Sequence, residues 1–257
     1  MRTKPLLFGH VVYNKPSKPL GVILYQGPSQ LDGTPIIVIA TFSSRNEKTG
    51  DMIQTWILQQ KIDPVNSVKN GLDISVCGDC RFSSGRGCYV NVGQAPLAVW
   101  SGYHRGIYPV YDPITHSGLC TGRRIRIGSY GDPSAVPVEY FHRILARCAG
   151  HTGYTHQWRT HPEYRGILQA SCDNATDYQD ATRQGWKCFT VIPSYAPQNL
   201  TPGETVRTDL GIVCLSESHG KTCSECKLCT GNKVNIVIAA HGSTGKIGKA
   251  RISLAMA

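Results

Sequence analysis

From Cys214 to Cys229 the chain reads C-L-S-E-S-H-G-K-T-C-S-E-C-K-L-C, with three cysteines at three-residue intervals and a fourth nine residues upstream. A C-x2-C-x2-C run suits a metal because each short loop turns the next sulfur inward. Soft anionic thiolates select zinc or an iron–sulfur cluster over magnesium or calcium. The spacing looks like that of bacterial ferredoxins, although there the fourth cysteine follows the run and serves the other cluster. The expectation is a metal centre on Cys214, Cys223, Cys226 and Cys229, with iron–sulfur, most simply [4Fe–4S], preferred and zinc the alternative. Disulfides or idle thiols are the reading to beat.

A second group, Cys77-Gly78-Asp79-Cys80 continuing to Cys88, has C-x2-C-x7-C spacing, with Gly85 and Gly87 where the backbone must fold around something. Its fourth ligand is open: Cys120 is the nearest spare thiol, and His104 or a substrate atom are the other choices. A three-cysteine cluster leaves one iron open to a substrate. The eleven cysteines are an odd number, and they cluster in a chain of 257 residues that needs no staples. That pattern favours a reducing compartment, so a cytoplasmic location is expected. The stretch Met1–His10 has no apolar run long enough for a signal peptide, and no later segment approaches a membrane span.

At this length, with 40% hydrophobic residues, one large α/β domain over 1–257 is expected. Residues 1–76 read as β-rich, 77–122 as a cysteine loop followed by an aromatic and basic helix, and 123–257 as alternating strand and helix. Val22–Tyr25, Ile36–Ala40 and Met52–Leu58 are strand candidates between Pro and Gly clusters. Asp63–Gly71 reads as a short helix, and Leu72–Val76 as a brief strand delivering Cys77. Ala95–Tyr111 carries Trp100, Tyr103, His104, Arg105, Tyr108 and Tyr111, which either stack on bases and pair with phosphates or form an ordinary amphipathic helix. From Arg123 onward the pattern is βα: strands at Arg124–Tyr130, His151–His156, Gly166–Cys172, Trp186–Ile192, Gly211–Val213 and Val234–Ala240, with helices at Val138–Gly150 and Ala175–Gly185. The fold class is α/β, a partial (β/α) barrel or open parallel sheet, with the cysteine-rich metal loops at the strand C-terminal ends.

In such folds the carboxyl ends of the strands open onto one face. Tyr130, Asp132, His156, Asp173, Cys214 and His241 all fall at such ends. Asp132, His156, Asp173 and His241 are the candidate catalytic residues: the carboxylates for acid–base work or for binding a substrate cation, the histidines for proton transfer or metal ligation. Each is also a plausible cap or buried hydrogen-bonding residue, and Asp132 before Pro133 makes a good N-cap. Asn46 and Lys48, in Asn46-Glu47-Lys48-Thr49-Gly50, are candidate cofactor-binding residues; the plain alternative is a hairpin turn, and the segment is short of a Walker A loop. No nucleophile elbow, Rossmann fingerprint or HExxH occurs.

Ser44-x-Asn46-x-Lys48-x-Gly50, Cys77-Gly78-Asp79-Cys80 with Gly87-Cys88-Tyr89, Gly128-x-x-Gly131-Asp132-Pro133, Thr152-Gly153-Tyr154-Thr155-His156 and the Cys223–Cys229 run with Ala240-His241-Gly242 together resemble an uncharacterised family of bacteriophage-encoded cysteine-rich proteins. The resemblance covers most of the chain from about residue 35. It implies a phage origin, one compact domain and action in the infected cell. The Gly-Cys-Tyr element and barrel-like strand order are faintly similar to radical S-adenosylmethionine enzymes, whose C-x3-C-x2-C run is missing. Two functions stand: an iron–sulfur protein with one or two clusters supporting redox or catalytic chemistry at the strand ends, or a zinc-stabilised module that binds nucleic acid or a host protein without catalysis. The formal charge of +10 allows contact with nucleic acid or another polyanion. No membrane partner is expected.

Overall fold

Short runs of β-branched and apolar residues, punctuated by glycine and proline, become eleven strands in a computed structural model that describes residues 18–194 and 205–256. The N-terminal stretch examined for a signal peptide lies outside the described residues. The strands are β1 (Gly21–Pro28), β2 (Pro35–Thr41), β3 (Ile53–Gln59), β4 (Arg124–Tyr130), β5 (Gly150–Thr152), β6 (Tyr154–Thr155), β7 (Gln169–Cys172), β8 (Cys188–Ile192), β9 (Arg207–Thr208), β10 (Gly211–Val213) and β11 (Ile236–Ala239). The helices are α1 (Pro64–Lys69), α2 (Ile74–Cys77), α3 (Ala95–His104), α4 (Ser117–Cys120), α5 (Val138–Leu145), α6 (Ala175–Arg183), α7 (Leu215–Ser218), α8 (Cys223–Cys226) and α9 (Thr244–Ala255).

Two mixed sheets result, in the orders β1-β2-β3-β4-β5 and β6-β7-β8-β11-β10-β9. The β1–β2, β2–β3 and β9–β10 pairs are antiparallel; all other pairs are parallel. One residue, Gly153, separates β5 from β6, so a single stretch of chain pairs with β4 over its first half and with β7 over its second. A Cβ on Gly153 would sit 2.6 Å from Leu168 Cδ2 and 3.0 Å from the Ile127 carbonyl oxygen. The chain is therefore glycine where neighbouring strands close on it from both sides. The expected α/β class with parallel strands holds, and among the described residues no closed barrel forms.

Strand alternation divides the sheet faces. Ile125 and Ile127 of β4 are fully buried in an apolar cluster that also takes Ile37 and Ile57, Phe141 and Ile144 of α5, and Leu168. Arg126, between the two isoleucines, points to the other face. All seven residues of β3 are buried, as in a strand covered on both sides.

Several local expectations change. Leu72–Val76 is not a strand: Asp73 begins the short turn of α2, with Cys77 N–H donating to the Asp73 carbonyl at 2.8 Å and Gly78 N–H to Ile74 at 2.8 Å. The Asp73 carboxylate accepts from the Ser84 backbone and hydroxyl, which pins the Cys77–Cys88 loop to that turn. The helix read over 138–150 stops at Leu145, and β9 and α9 are additions. β10 and β11 are parallel neighbours, so the segment that joins them must cross a face of the sheet to start β11 in the same direction.

Candidate functional site

Both cysteine loops line one cavity of about 300 Å³. Its floor comes from alternate residues of parallel strands: Arg126 of β4, Tyr154 of β6, Ser171 of β7, Phe189 and Val191 of β8, and Ile238 of β11. Cys80, Phe82, Cys88 and Tyr89 cover it from one side, Cys214, Cys223 and Cys229 from another, and Ala250 of α9 closes part of the rim. His156 and His241, one residue beyond β6 and two beyond β11, complete the wall.

The second cysteine loop is shaped locally by a device visible in Thr222-Cys223-Ser224-Glu225. The Thr222 hydroxyl accepts from Glu225 N–H while the Glu225 carboxylate accepts from Thr222 N–H at 2.9 Å, a reciprocal capping box that starts α8. Cys223 and Cys226 thereby stand three residues apart on one helical face. Lys227 then adopts φ +59, and this left-handed step swings the chain toward Cys229. Cys223 N–H donates to the Lys48 carbonyl at 2.8 Å, and Gly153 N–H donates to Cys229 at 3.3 Å. The loop is thus strapped to the 46–50 turn and to the β5–β6 junction.

Electrostatics mark these thiols as a mutually repelling set. Burial pushes Cys229 well up, and the charges of Cys214, Cys223 and Cys226 push the same way. Burial also raises Cys223 and Cys226. In the other loop, burial followed by the charges of Cys80 and Cys88 raises Cys77 strongly, and Cys88 is pushed up to about 11 by burial and Cys80. Such thiols stay protonated unless a cation arrives to compensate several thiolates at once, which is the environment a thiolate-bound metal inverts. The donor set therefore fits a thiophilic metal or cluster. Among the described residues, no three Cys, His, Asp or Glu side chains are already arranged to hold one ion, so metal binding here requires the loops to close around it.

The strand-end residues divide into two groups. Asp132 is tucked under the sheet end: its carboxylate accepts from Ser134 N–H at 3.0 Å, Ser134 Oγ at 2.8 Å, Thr155 Oγ1 at 2.7 Å and His156 N–H at 2.7 Å. Those four donors saturate it, and it does not line the cavity. Its visible work is to tie the end of β4 to the end of β6. His156 lies against Cys80, with Nε2 at 3.7 Å from Sγ, and the same Nε2 is 3.7 Å from Asp173 Oδ2. Burial opposes the imidazolium, but the Cys80 charge and the bonds to Asp173 and Cys80 raise His156 well above its usual value. Asp173 also has Arg81 Nε at 3.6 Å, while its buried Oδ1 has no partner. His241 hydrogen-bonds through Nδ1 to the Ala239 carbonyl at 3.0 Å and packs against Tyr89; burial and then Lys48 push its pKa down. Tyr130 is buried under the β4 end, and burial and Cys77 hold its phenol strongly protonated.

Asn46 and Lys48 both line the cavity, and Lys48 Nζ also pairs with Glu217 Oε1 of the second cysteine loop at 3.1 Å. The fourth-ligand candidates for Cys77, Cys80 and Cys88 stand elsewhere. The Cys120 thiol is fully buried in the apolar core with Tyr111 and Cys148, and His104 Nε2 is engaged with the Gln60 carbonyl at 2.9 Å. The structure brings His156 to this loop instead. Trp100 and His104 are likewise occupied with the end of β3, Trp100 Nε1 donating to the Gln59 carbonyl at 3.0 Å. Ala95–His104 of that stretch packs as a helix against the sheet, as the plainer reading had it, while residues 105–111 are not helical.

Arg126 and Tyr154 are the cavity residues that sequence reasoning passed over. The signal was present: in Arg124-Ile125-Arg126-Ile127 an arginine occupies the middle of a strand whose neighbours are core isoleucines. No protein-family model, curated protein or solved structure matches the chain. Among the described residues no helix is long and apolar enough to cross a membrane.

Proposed function

We propose that this chain is an iron–sulfur protein of bacteriophage origin, acting in the cytoplasm of the infected cell. Cys214, Cys223, Cys226 and Cys229 would hold one [4Fe–4S] cluster, and Cys77, Cys80 and Cys88 a second with one iron open. The observation that carries this reading is the shared cavity: Cys80 and Cys88 from one loop and Cys214, Cys223 and Cys229 from another, far apart in sequence, line one pocket over the parallel strands. A purely structural metal needs no cavity beside it, whereas a reaction centre does. Bound there, the clusters would supply electrons and an open iron for a substrate. His156, held by Asp173, stands where it can give or take a proton in that space, and His241 lines the same space beside Tyr89. Phe189, Val191 and Ile238 give the floor its apolar part beside Arg126 and Tyr154.

The alternative, a zinc-stabilised module binding nucleic acid or a host protein, draws on the net charge of +10. Trp100 and His104 of α3 each spend a ring nitrogen at the end of β3, which leaves exposed Arg105 and the net charge to support it.

Anaerobic purification, an absorbance spectrum, and iron, sulfide and zinc counts test the proposal. A brown protein with near-equal iron and sulfide is expected, losing one share of both in Cys223→Ser and another in Cys88→Ser. A colourless protein with stoichiometric zinc and no sulfide would defeat it.

A further inference from the structure

A second chamber, of about 830 Å³, adjoins the first and lies over β2, β3 and β4. Arg126, Tyr89 and Asn46 line both and form the partition. The chamber is otherwise bounded by the 41–46 loop, by Trp56 and Ser129, and by the start of α3. Among the described residues no Asp or Glu lines it, while Arg45 and Arg126 both do.

Arg126 is the unusual member. It is 5% exposed, and among the described residues no carboxylate pairs with it. Its Nη2 donates to the Tyr89 hydroxyl and, at 2.9 Å, to the Tyr154 hydroxyl, and its buried Nε has no partner. A guanidinium taken out of water without a counter-charge costs several kcal/mol, a cost that two phenols offset only in part. Both phenols accept from Arg126 and so keep their own protons to donate. The ten-residue α3 adds a further positive feature: Gln94, Ala95 and Pro96 at its N-terminus face the chamber, and Gln94 supplies no side-chain cap.

We propose that this chamber binds a small anionic molecule, whose phosphate or carboxylate head is held by Arg126 with Tyr89 and Tyr154 and whose polar body fills the space toward Trp56 and α3. With both Nη2 protons donated to the two phenols, Nη1 and the fixed positive charge are what the guanidinium offers to either head. A nucleic-acid backbone is the wrong partner, because a side chain 5% exposed is beyond the reach of a duplex phosphate. The volume lies in the range of small-molecule sites. The Arg126 partition places the head next to the thiol-lined cavity, yet binding itself needs no metal.

Calorimetric titration of the purified full chain with AMP, adenosine and succinate at fixed ionic strength tests this, AMP and succinate distinguishing the two kinds of head. Wild type should bind one of the two anions and bind adenosine more weakly than AMP. Arg126→Gln should weaken the anion at least tenfold, about 1.4 kcal/mol. Its unliganded melting temperature should equal or exceed that of wild type, since it removes an unpaired buried charge. Ala95→Asp puts a carboxylate at a helix N-terminus that tolerates it, and should weaken the same anion while leaving the fold intact. Iron, zinc and sulfide counts on the same wild-type sample separate this site from the metal proposal, because anion binding by protein that holds neither metal nor sulfide supports this site while defeating that one. No binding of either anion by wild type, equal binding of AMP and adenosine with no response to succinate, or unchanged affinity in both Arg126→Gln and Ala95→Asp would overturn it. Loss of iron from Arg126→Gln with anion affinity unchanged would also overturn it, showing that Arg126 balances thiolate charge instead.

Discussion

Asp132 shows how much one buried carboxylate can organise. Its four donors come from the turn after β4 and from β6, so the charge is solvated by the protein itself. Thr155 is fully buried, and its hydroxyl both donates to Asp132 and accepts from Gln157 N–H at 2.9 Å. Thr155→Val keeps the shape and removes that hydroxyl. It should cost about 1–3 kcal/mol in urea unfolding, the penalty for leaving buried polar groups unsatisfied, while Thr155→Ser should recover most of the loss. An unchanged unfolding midpoint for Thr155→Val would mean that the carboxylate is satisfied without it. The Asp-Pro pair announced a cap in the sequence, and the cap is there. What the sequence withheld were the donors arriving from β6, because they depend on the pairing of β4 with β5. Arg126 was withheld for a related reason: whether a strand arginine is a surface residue or a buried one depends on what covers the face, and the cover here is two loops from distant parts of the chain.

Strands were the legible elements because period-two and continuous apolar runs report burial directly. Residues 124–130 form a strand with the bounds that the sequence suggested. The failures are short elements in which local hydrogen bonds outweigh propensity: Ile74-Ser75-Val76 looks like strand but is held in a turn by Asp73. The junction at Gly153 belongs to this scale as well. Its requirement for glycine is steric, not conformational, since Leu168 and the Ile127 carbonyl occupy the position of a side chain. Leu168 can shift; a backbone carbonyl within a parallel ladder cannot. Gly153→Ala should therefore cost about 1–3 kcal/mol by overpacking, measured as a lower unfolding midpoint with an unchanged denaturant slope. A neutral substitution would show that β5 and β6 have freedom to part.

At the scale of the molecule, the crossing segment between β10 and β11 ties together regions that the sheet alone leaves apart. It reaches the 46–50 turn through Cys223 N–H to Lys48 and through the Lys48–Glu217 pair, and reaches the β5–β6 junction through Cys229. Gly50, at φ +67, packs so closely on Ser224 that an added Cβ would lie 2.6 Å from its hydroxyl oxygen. Thiolates that repel one another when buried do not hold such a segment down; the proposed metal would compensate them, and its binding energy would become folding energy for everything the segment touches. On that proposal, anaerobic chelation should raise amide hydrogen exchange in three places at once: residues 214–229, the 46–50 turn, and the amide of Gly153. The amides of β2 and β3, in the apolar core, should keep their protection. If exchange rises only within 214–229, the straps are incidental contacts and the metal stabilises its own loop alone. If it rises nowhere, the thiols are not metal ligands in the folded protein, and the shared cavity must be explained without them.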